Sequence, residues 1–169
     1  MILWSAVRTT LGTFHVAALR GAIVETSLPG VTGDSFLAFV AARWPDEEVR
    51  KDPHDATILQ AARELEEYAA GSRTDFTVKT QPRGTPFQQK VWNELAAIPY
   101  GEVRSYQEVA QAIGKPGASR AVGQANHRNP VAPFVPCHRV VTADGKLGGY
   151  GGGVELKQKM LALEGIQLN

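Results

Sequence analysis

Residues 105–127 read SYQEVAQAIGKPGASRAVGQANH and predict two short helices joined by a tight turn. Ser105 and Glu108 have the spacing of a capping box, so the first helix is expected to begin here. Residues 114–117, Gly-Lys-Pro-Gly, interrupt the helical pattern, and small and apolar residues resume after them. Two short helices across a glycine-containing turn are typical of a helix-turn-helix. This stretch therefore predicts the centre of a helical domain.

The residues that flank this motif predict two further helices. Thr85 and Gln88 have the spacing of a second capping box, and Pro86 suits the first position of a helix. Apolar residues with helical spacing follow. A last helix is predicted over residues 154–164, before a glycine. Residues 84–169 are therefore expected to form a mainly α-helical C-terminal domain with a helix-turn-helix, winged-helix-like in organisation.

The first half of the chain predicts an α/β domain. Three segments rich in β-branched and apolar residues are separated by glycines that suit hairpin turns: residues 2–9, 13–19 and 22–28. They predict a three-stranded antiparallel sheet. Helical spacing follows at residues 34–44 and 55–70.

Residues 71–84 predict a linker that contains a short strand, and we place the domain boundary between residues 83 and 84. No chemical motif occurs in residues 1–83, which are therefore expected to form an N-terminal supporting domain.

Composition excludes several classes of protein. The chain has 169 residues, of which 43% are hydrophobic and 21% charged, which is ordinary for a globular protein and unlike a disordered one. Its single cysteine, Cys137, excludes an intramolecular disulfide and predicts a reducing compartment. No apolar run reaches the ~18 residues of a membrane span, and the start lacks the basic region of a signal peptide. We therefore expect a soluble, cytoplasmic protein with no membrane association.

Basic residues are concentrated in the second half. Residues 1–84 carry nine basic and eleven acidic residues, whereas residues 85–169 carry nine basic and six acidic ones. Residues 104–146 contain six basic residues against two acidic ones. This distribution indicates either an anionic partner or a solvated basic face, and composition leaves both open.

Residues 129–140, NPVAPFVPCHRV, concentrate the chemical signal. Three prolines make the approach to Cys137 rigid, and His138 and Arg139 follow the cysteine directly. Because cationic neighbours lower the pKa of a cysteine, this order predicts a reactive thiolate. The alternative is a small buried residue beside a structural histidine.

The order of motifs around this cysteine resembles one known family. Pro136-Cys137-His138-Arg139-Val140 is similar to the active-site signature of the O6-alkylguanine-DNA alkyltransferases (methylated-DNA–protein-cysteine methyltransferases). The resemblance extends over residues 84–165 and follows the order of the family: GTPFQQKVW, IPYGEVRSY, SRAVGQANHRNP, GGYGGG and LALEG.

The resemblance implies DNA repair by direct, irreversible transfer of an alkyl group from O6-alkylguanine, and from O4-alkylthymine, to the protein. Cys137 would be the nucleophile and alkyl acceptor, used once. His138 would be the general base, acting through a water, and Glu164 would orient it in a relay like that of a hydrolase triad. Independently of the resemblance, an acid in the last helical turn opposes the helix dipole. Lys157 corresponds to a family lysine near the site, and we expect it to be solvated here.

The resemblance also implies how DNA is bound. The second helix of the helix-turn-helix, about residues 117–127, would lie in the minor groove of double-stranded DNA. Arg120 would be the finger that replaces the extruded nucleotide, and Tyr106 would rotate the adjoining phosphate and contact the flipped base. Small residues would allow close approach to the narrow groove: Ala118, Ser119, Ala121 and Gly123.

The resemblance assigns the remaining pocket residues. Asn129 would be a hinge between the cysteine turn and the helix-turn-helix. Tyr150 and the glycine loop, residues 148–153, would close the alkylguanine pocket. Backbone groups of Cys137, Val140 and Gly151 would read the guanine edge. The substrate pocket would be formed by Val140, Tyr150, Gly151, Pro136 and Lys157. Gln124 and Asn126 lie on the groove-binding helix where other members carry different residues, which leaves the detailed DNA contacts open.

No metal and no cofactor are expected. The histidines outside the motif, His15, His54 and His127, lack ligand spacing, and the glycine loop has no nucleotide-binding pattern. We expect a monomer and leave cooperative assembly on DNA open.

Two rival classes remain. An alkyltransferase-like binding protein would flip lesions without transfer, although such relatives lack the cysteine. A cysteine hydrolase would use Cys137, His138 and Glu164 and would turn over.

Overall fold

In the computed structural model, which describes residues 1–168, the chain divides into two units between residues 82 and 83. The boundary predicted from the sequence lies one residue later. The two units are described in turn.

The first unit contains a sheet of four strands rather than the three that we expected. Strands β1 (Ile2–Thr9), β2 (Gly12–Leu19) and β3 (Ala22–Ser27) pair antiparallel in sequence order. Gly12, the first residue of β2, and Gly21, in the turn before β3, have φ of 118° and 79°, a region that favours glycine. Strand β4 (Val49–Lys51) pairs parallel with β1 at the sheet edge. Its sequence, Val-Arg-Lys, is too short and too polar for a detectable alternating pattern.

Two helices complete this unit close to the predicted positions. Thr32 caps α1 (Gly33–Arg43), and Asp55 caps α2 (Ala56–Ala69) through its carboxylate. Apolar residues from the sheet and α1 form a buried cluster: Ile2, Ala17, Leu19, Val24, Phe36, Val40 and Trp44. Within the segment predicted to be a linker, Thr80 forms a single parallel bridge with Ile23 of β3.

Over residues 83–168 the second unit contains four α-helices: α3 (Pro86–Ala96), α4 (Tyr106–Ala112), α5 (Ser119–His127) and α6 (Val154–Leu163). Both predicted capping boxes are present, at Thr85 and Ser105. Residues 113–118 connect α4 to α5. Trp92 of α3 donates its indole N–H to the carbonyl of Ala125 at 2.9 Å, which ties α3 to α5.

Two small elements between α5 and α6 position the cysteine, and the sequence did not predict either. Cys137–Arg139 form a 3₁₀ turn. It leads into β6 (Val140–Val141), which pairs parallel with β5 (Arg104–Ser105). Each strand has two residues, so neither carries a periodic signal.

None of the helices within residues 1–168 has the length and apolar character that a membrane span requires.

Candidate functional site

Cys137 begins the 3₁₀ turn and is 5% exposed. The preceding chain is held by Asn129, which donates its amide to the carbonyl of Val135 at 2.7 Å. The side-chain oxygen of Asn129 accepts the backbone N–H of Val131 at 3.1 Å. Asn126 of α5 donates its amide to the carbonyl of Cys137 at 3.4 Å. Asn126 in α5 and Asn129 just after it therefore both bind the cysteine segment.

The environment of the thiol differs from the sequence prediction. Burial raises the pKa of Cys137, while hydrogen bonds from Asn129 and Tyr150 and the charge of Lys157 act in the opposite direction. The expectation that the adjacent His138 and Arg139 lower this pKa is wrong, because both side chains bind Glu164 instead.

Glu164, at the C-terminal end of α6, is the centre of a buried polar cluster. His138 Nε2 lies 2.6 Å from Glu164 Oε2. Arg139 donates Nε to Oε1 at 2.8 Å and Nη2 to Oε2 at 3.2 Å, and the backbone N–H of Gly101 donates to Oε1 at 3.2 Å. These donors stabilise a carboxylate that the helix dipole alone would disfavour.

His138 is held neutral. Burial lowers the pKa of His138, and Arg139 and Lys157 lower it further, although Glu164 acts to raise it. Glu164 accepts from Arg139 and is therefore ionised, so His138 Nε2 carries the proton in that hydrogen bond. The Nδ1 atom is then the basic nitrogen of the ring.

Lys157 is fully buried, so the expectation of a solvated lysine is wrong. Its ammonium donates to the carbonyls of Val140 at 2.7 Å, Leu147 at 2.5 Å and Gly149 at 3.3 Å. Burial lowers the pKa of Lys157 to about 8, and the charge of a Cys137 thiolate acts in the opposite direction.

A signal for this burial exists in the sequence. Lys157 precedes Met160 and Leu161 by three and four residues, so it lies on the buried stripe of α6.

The glycine loop and Tyr106 lie around the same cluster. The rings of Tyr150 and His138 meet edge to face, with centres 6.5 Å apart. A Cβ on Gly148 would lie 3.2 Å from the hydroxyl of Tyr106. Burial raises the pKa of Tyr106, and the charge of a Cys137 thiolate raises it further.

The remaining residues assigned to the pocket differ in how exposed they are to solvent. Pro136 and Val140 are buried beside Cys137 in the chain, whereas Gly151 is exposed in the glycine loop. The carbonyl of Val140 is bonded to Lys157.

A groove with a volume of about 690 Å³ lies along α5. It is lined by Tyr106, Ser119, Arg120, Gly123, Gln124, His127 and Arg128. Arg120, Gln124 and Arg128 follow one another at intervals of four residues and are exposed. Of the other small residues assigned to this surface, Ala121 is exposed and Ala118 is half-buried. Asn126 is buried and points to the cysteine segment, so it does not belong to this groove.

Within residues 1–168, no three His, Cys, Asp or Glu side chains come together as a group that could hold a metal ion.

Comparison with known proteins gives a consistent set of similarities. A family model described as "6-O-methylguanine DNA methyltransferase, DNA binding domain" matches residues 86–166. A methylated-DNA–protein-cysteine methyltransferase of Methanosarcina acetivorans is 58% identical over 106 residues, covering 63% of this chain and 68% of the relative. A constitutive enzyme of that name from Bacillus subtilis is 48% identical over 128 residues, covering 73% and 78%.

Solved structures extend the similarity to both units. The crystal structure of the Mycobacterium tuberculosis O6-methylguanine methyltransferase has a TM-score of 0.82 and 41% identity, covering 97% of this chain and 93% of that one. A structure of the M. tuberculosis protein in complex with DNA gives the same TM-score at 40% identity, covering 96% and 92%.

Proposed function

The chain belongs to the 6-O-methylguanine-DNA methyltransferase family, and from this premise we propose that it repairs DNA by transferring the alkyl group of O6-alkylguanine to Cys137. One observation carries the proposal. The single cysteine of the chain is buried at the start of a turn whose next residue, His138, is bonded to a buried carboxylate at 2.6 Å. A cysteine that only fills space in a core does not need a neighbouring histidine bonded to a buried carboxylate.

The chemistry that we propose is an in-line displacement. The Cys137 sulfur forms a bond to the alkyl carbon while the bond from that carbon to guanine O6 breaks. The thiol proton passes to His138 Nδ1 through a water, the guanine leaves as an anion that is protonated by solvent, and the imidazolium later returns its proton to solvent. Glu164 stabilises the imidazolium. No tetrahedral acyl intermediate forms, so an oxyanion hole is not required.

Lys157 supports the same step. Burial raises the pKa of the Cys137 thiol, and the charge of Lys157 acts to lower it. Lys157 therefore favours the thiolate when the proton leaves. Its three carbonyl contacts also join β6 to the glycine loop, in which Tyr150 and Gly151 would close over the base. Backbone groups of Cys137, Val140 and Gly151 would bind the guanine edge, with Pro136 forming part of the wall.

We further propose that α4 and α5 act as a helix-turn-helix that binds duplex DNA in the minor groove. Ser119 and Gly123, with Ala118 and Ala121, provide the small surface that a narrow groove requires. Arg120 would enter the base stack as the nucleotide is flipped out. Its exposed position on the α5 groove supports this assignment.

Tyr106 connects the two parts of the proposal. It lines the groove with Arg120, and its ring would lie 3.8 Å from a Cβ on Gly123. It also responds to the charge of Cys137. A residue in this position can rotate a phosphate at the groove and contact the base as it reaches the thiol. Asn129 would act as the hinge between α5 and the cysteine segment.

The proposal also covers the substrate range, the oligomeric state, the location and the first unit. Acceptance of O4-alkylthymine, a monomeric state, a cytoplasmic location and a purely supporting role for the first unit follow from the family resemblance and the composition.

The test is the intact mass of the protein after incubation with duplex DNA that contains O6-methylguanine. We expect a gain of one methyl group per chain and none in Cys137→Ser. A protein that binds the lesion with no change in mass would instead be a binding protein. Continued release of product beyond one equivalent would indicate a hydrolase.

A further inference from the structure

Arg139 is a buried side chain whose guanidinium is bonded within the second unit. It donates two hydrogen bonds to Glu164, and its Nη1 donates to the carbonyl of Ile98 at 2.7 Å. The guanidinium carbon lies 5.7 Å from the centre of the Tyr100 ring. The whole residue is 6% exposed. These contacts fix an arginine on the carboxylate to which His138 is bonded.

The titratable groups around the His138 ring come from three parts of this unit. The 3₁₀ turn contributes Cys137 and Arg139. Lys157 lies in α6, and Glu164 lies at the C-terminal end of that helix. Tyr150 belongs to the glycine loop. Burial is the largest cause that lowers the pKa of His138, Glu164 acts to raise that pKa, and Arg139 and Lys157 act to lower it. Because Arg139 binds both oxygens of Glu164, it offsets much of the negative charge that would otherwise hold a proton on His138.

We propose that Arg139 is a positioning residue for the transfer reaction, which orients Glu164 and keeps the resting His138 ring neutral so that it can accept the thiol proton. The inference rests on the proposed function, since it takes His138 to be the base.

The charge balance explains why this arrangement is useful. A proton that moves from Cys137 to His138 leaves the total charge of the cluster unchanged, and the imidazolium gains a thiolate as its partner. A proton taken from solvent adds a positive charge beside Arg139 and Lys157, and the only anion that the His138 ring then contacts is Glu164, whose charge Arg139 already offsets. His138 therefore stays a base until Cys137 gives up its proton.

The test is the titration of the His138 ring by heteronuclear NMR, with its resonance identified by its loss in His138→Gln. Arg139→Gln retains a hydrogen-bond donor but removes the charge, and it is expected to raise the titration midpoint by about one pH unit or more. Arg139→Lys retains the charge but loses the two-pronged geometry, and its midpoint is expected to stay close to that of the wild type. Arg43→Gln, which removes an arginine from Glu25 in the first unit, is the matched control and should leave the midpoint unchanged.

Single-turnover methyl transfer gives a second readout. In Arg139→Gln the acid limb of the pH–rate profile should move to higher pH with the NMR midpoint. In Arg139→Lys the rate should fall by the same factor at every pH, because only the orientation of Glu164 has changed. A purely structural Arg139 would lower stability and rate without moving either profile.

Two results would overturn the inference. One is an unchanged midpoint in folded Arg139→Gln, and the other is an equal rise in Arg139→Lys. If Arg139→Gln does not fold, the double variant Arg139→Gln/Glu164→Gln removes both charges together. The titration midpoint of His138 in this variant is expected to be no higher than in the wild type. A higher midpoint contradicts the inference. Failure of the wild type to take up a methyl group would refute the proposed function while the titration still reports on Arg139.

Discussion

The first unit buries two glutamates and the second unit buries one, and the partners of these carboxylates differ. Glu64 accepts the backbone N–H groups of Thr77 and Val78 and the side chains of Thr77 and Gln60. Glu25 accepts from Arg43 and Trp44. None of these donors changes its protonation near neutral pH.

Glu164 is also bonded to an arginine, but its other side-chain partner is a histidine whose neighbour in the chain is the cysteine. A buried charge is therefore weak evidence for a reactive site on its own. It becomes informative where its partners include a group that can move a proton to or from a nucleophile. The predictions below test this difference between the two units.

The largest effect is expected from the nucleophile. Cys137→Ser should abolish methyl transfer, because a serine hydroxyl in the same position is a far weaker nucleophile than a thiolate. Folding and DNA binding should persist, since the α5 groove does not include this residue. Intact mass and a DNA-binding titration measure the two properties separately. Methyl transfer by Cys137→Ser would place the acceptor elsewhere.

The relay should have the next largest effect. Glu164→Gln or His138→Ala is expected to slow single-turnover transfer by roughly 10²–10⁴-fold, the usual contribution of general base catalysis. The comparable substitution in the first unit, Glu25→Gln, should leave the transfer rate unchanged. Equal rates in wild type and Glu164→Gln would remove the relay from the mechanism.

Arg120→Ala tests the DNA side of the second unit. The transfer rate on saturating duplex DNA should fall strongly, whereas the reaction with free O6-alkylguanine base should change little, because a free base needs no extrusion. Arg128→Ala, on the same groove, is the control for simple loss of charge, and saturating DNA or lower salt should overcome its defect. Equal slowing of Arg120→Ala on both substrates would mean that Arg120 supports the pocket instead.

The smallest effect on transfer is expected from Glu64, where the change should appear only in stability. Burial alone would raise the pKa of Glu64, but hydrogen bonds from Thr77, Gln60 and Val78 hold it below its ordinary value. The unfolded chain therefore binds a proton more readily, and the stabilisation by Glu64 is lost as the pH falls below about 4.5.

Glu64→Gln should accordingly lower the free energy of unfolding by about 1–3 kcal/mol at pH 7 and by less in acid. Chemical denaturation at two pH values measures the difference. A loss that grows as the pH falls would contradict this account.

Local signals explain what could be predicted from the sequence. The capping boxes at Thr85 and Ser105 and the hairpin glycines depend on residues a few positions apart, so their spacing is visible in the chain. The short strands β4, β5 and β6 depend on partners far away in the sequence and carry no period of their own.

The candidate site divides in the same way. Cys137, His138 and Glu164 could be named from motifs, and the His138–Glu164 contact is present, whereas their roles stay predictions. The direction in which Arg139 points depends on Glu164, 25 residues later, and no local pattern encodes it. The prediction for Lys157 is wrong because a lysine is usually solvated, whereas this one lies on the apolar stripe of α6.

The separation of His138 and Glu164 by 26 residues has a consequence for biosynthesis. Chains leave the ribosome from the N-terminus, so Cys137 and His138 emerge before α6 does. At that stage it lacks both the carboxylate that stabilises an imidazolium and the Lys157 ammonium that favours a thiolate. If Cys137 is the alkyl acceptor that we propose, the partners that activate it are among the last residues to become available for folding, and an unfinished chain carries the thiol without them.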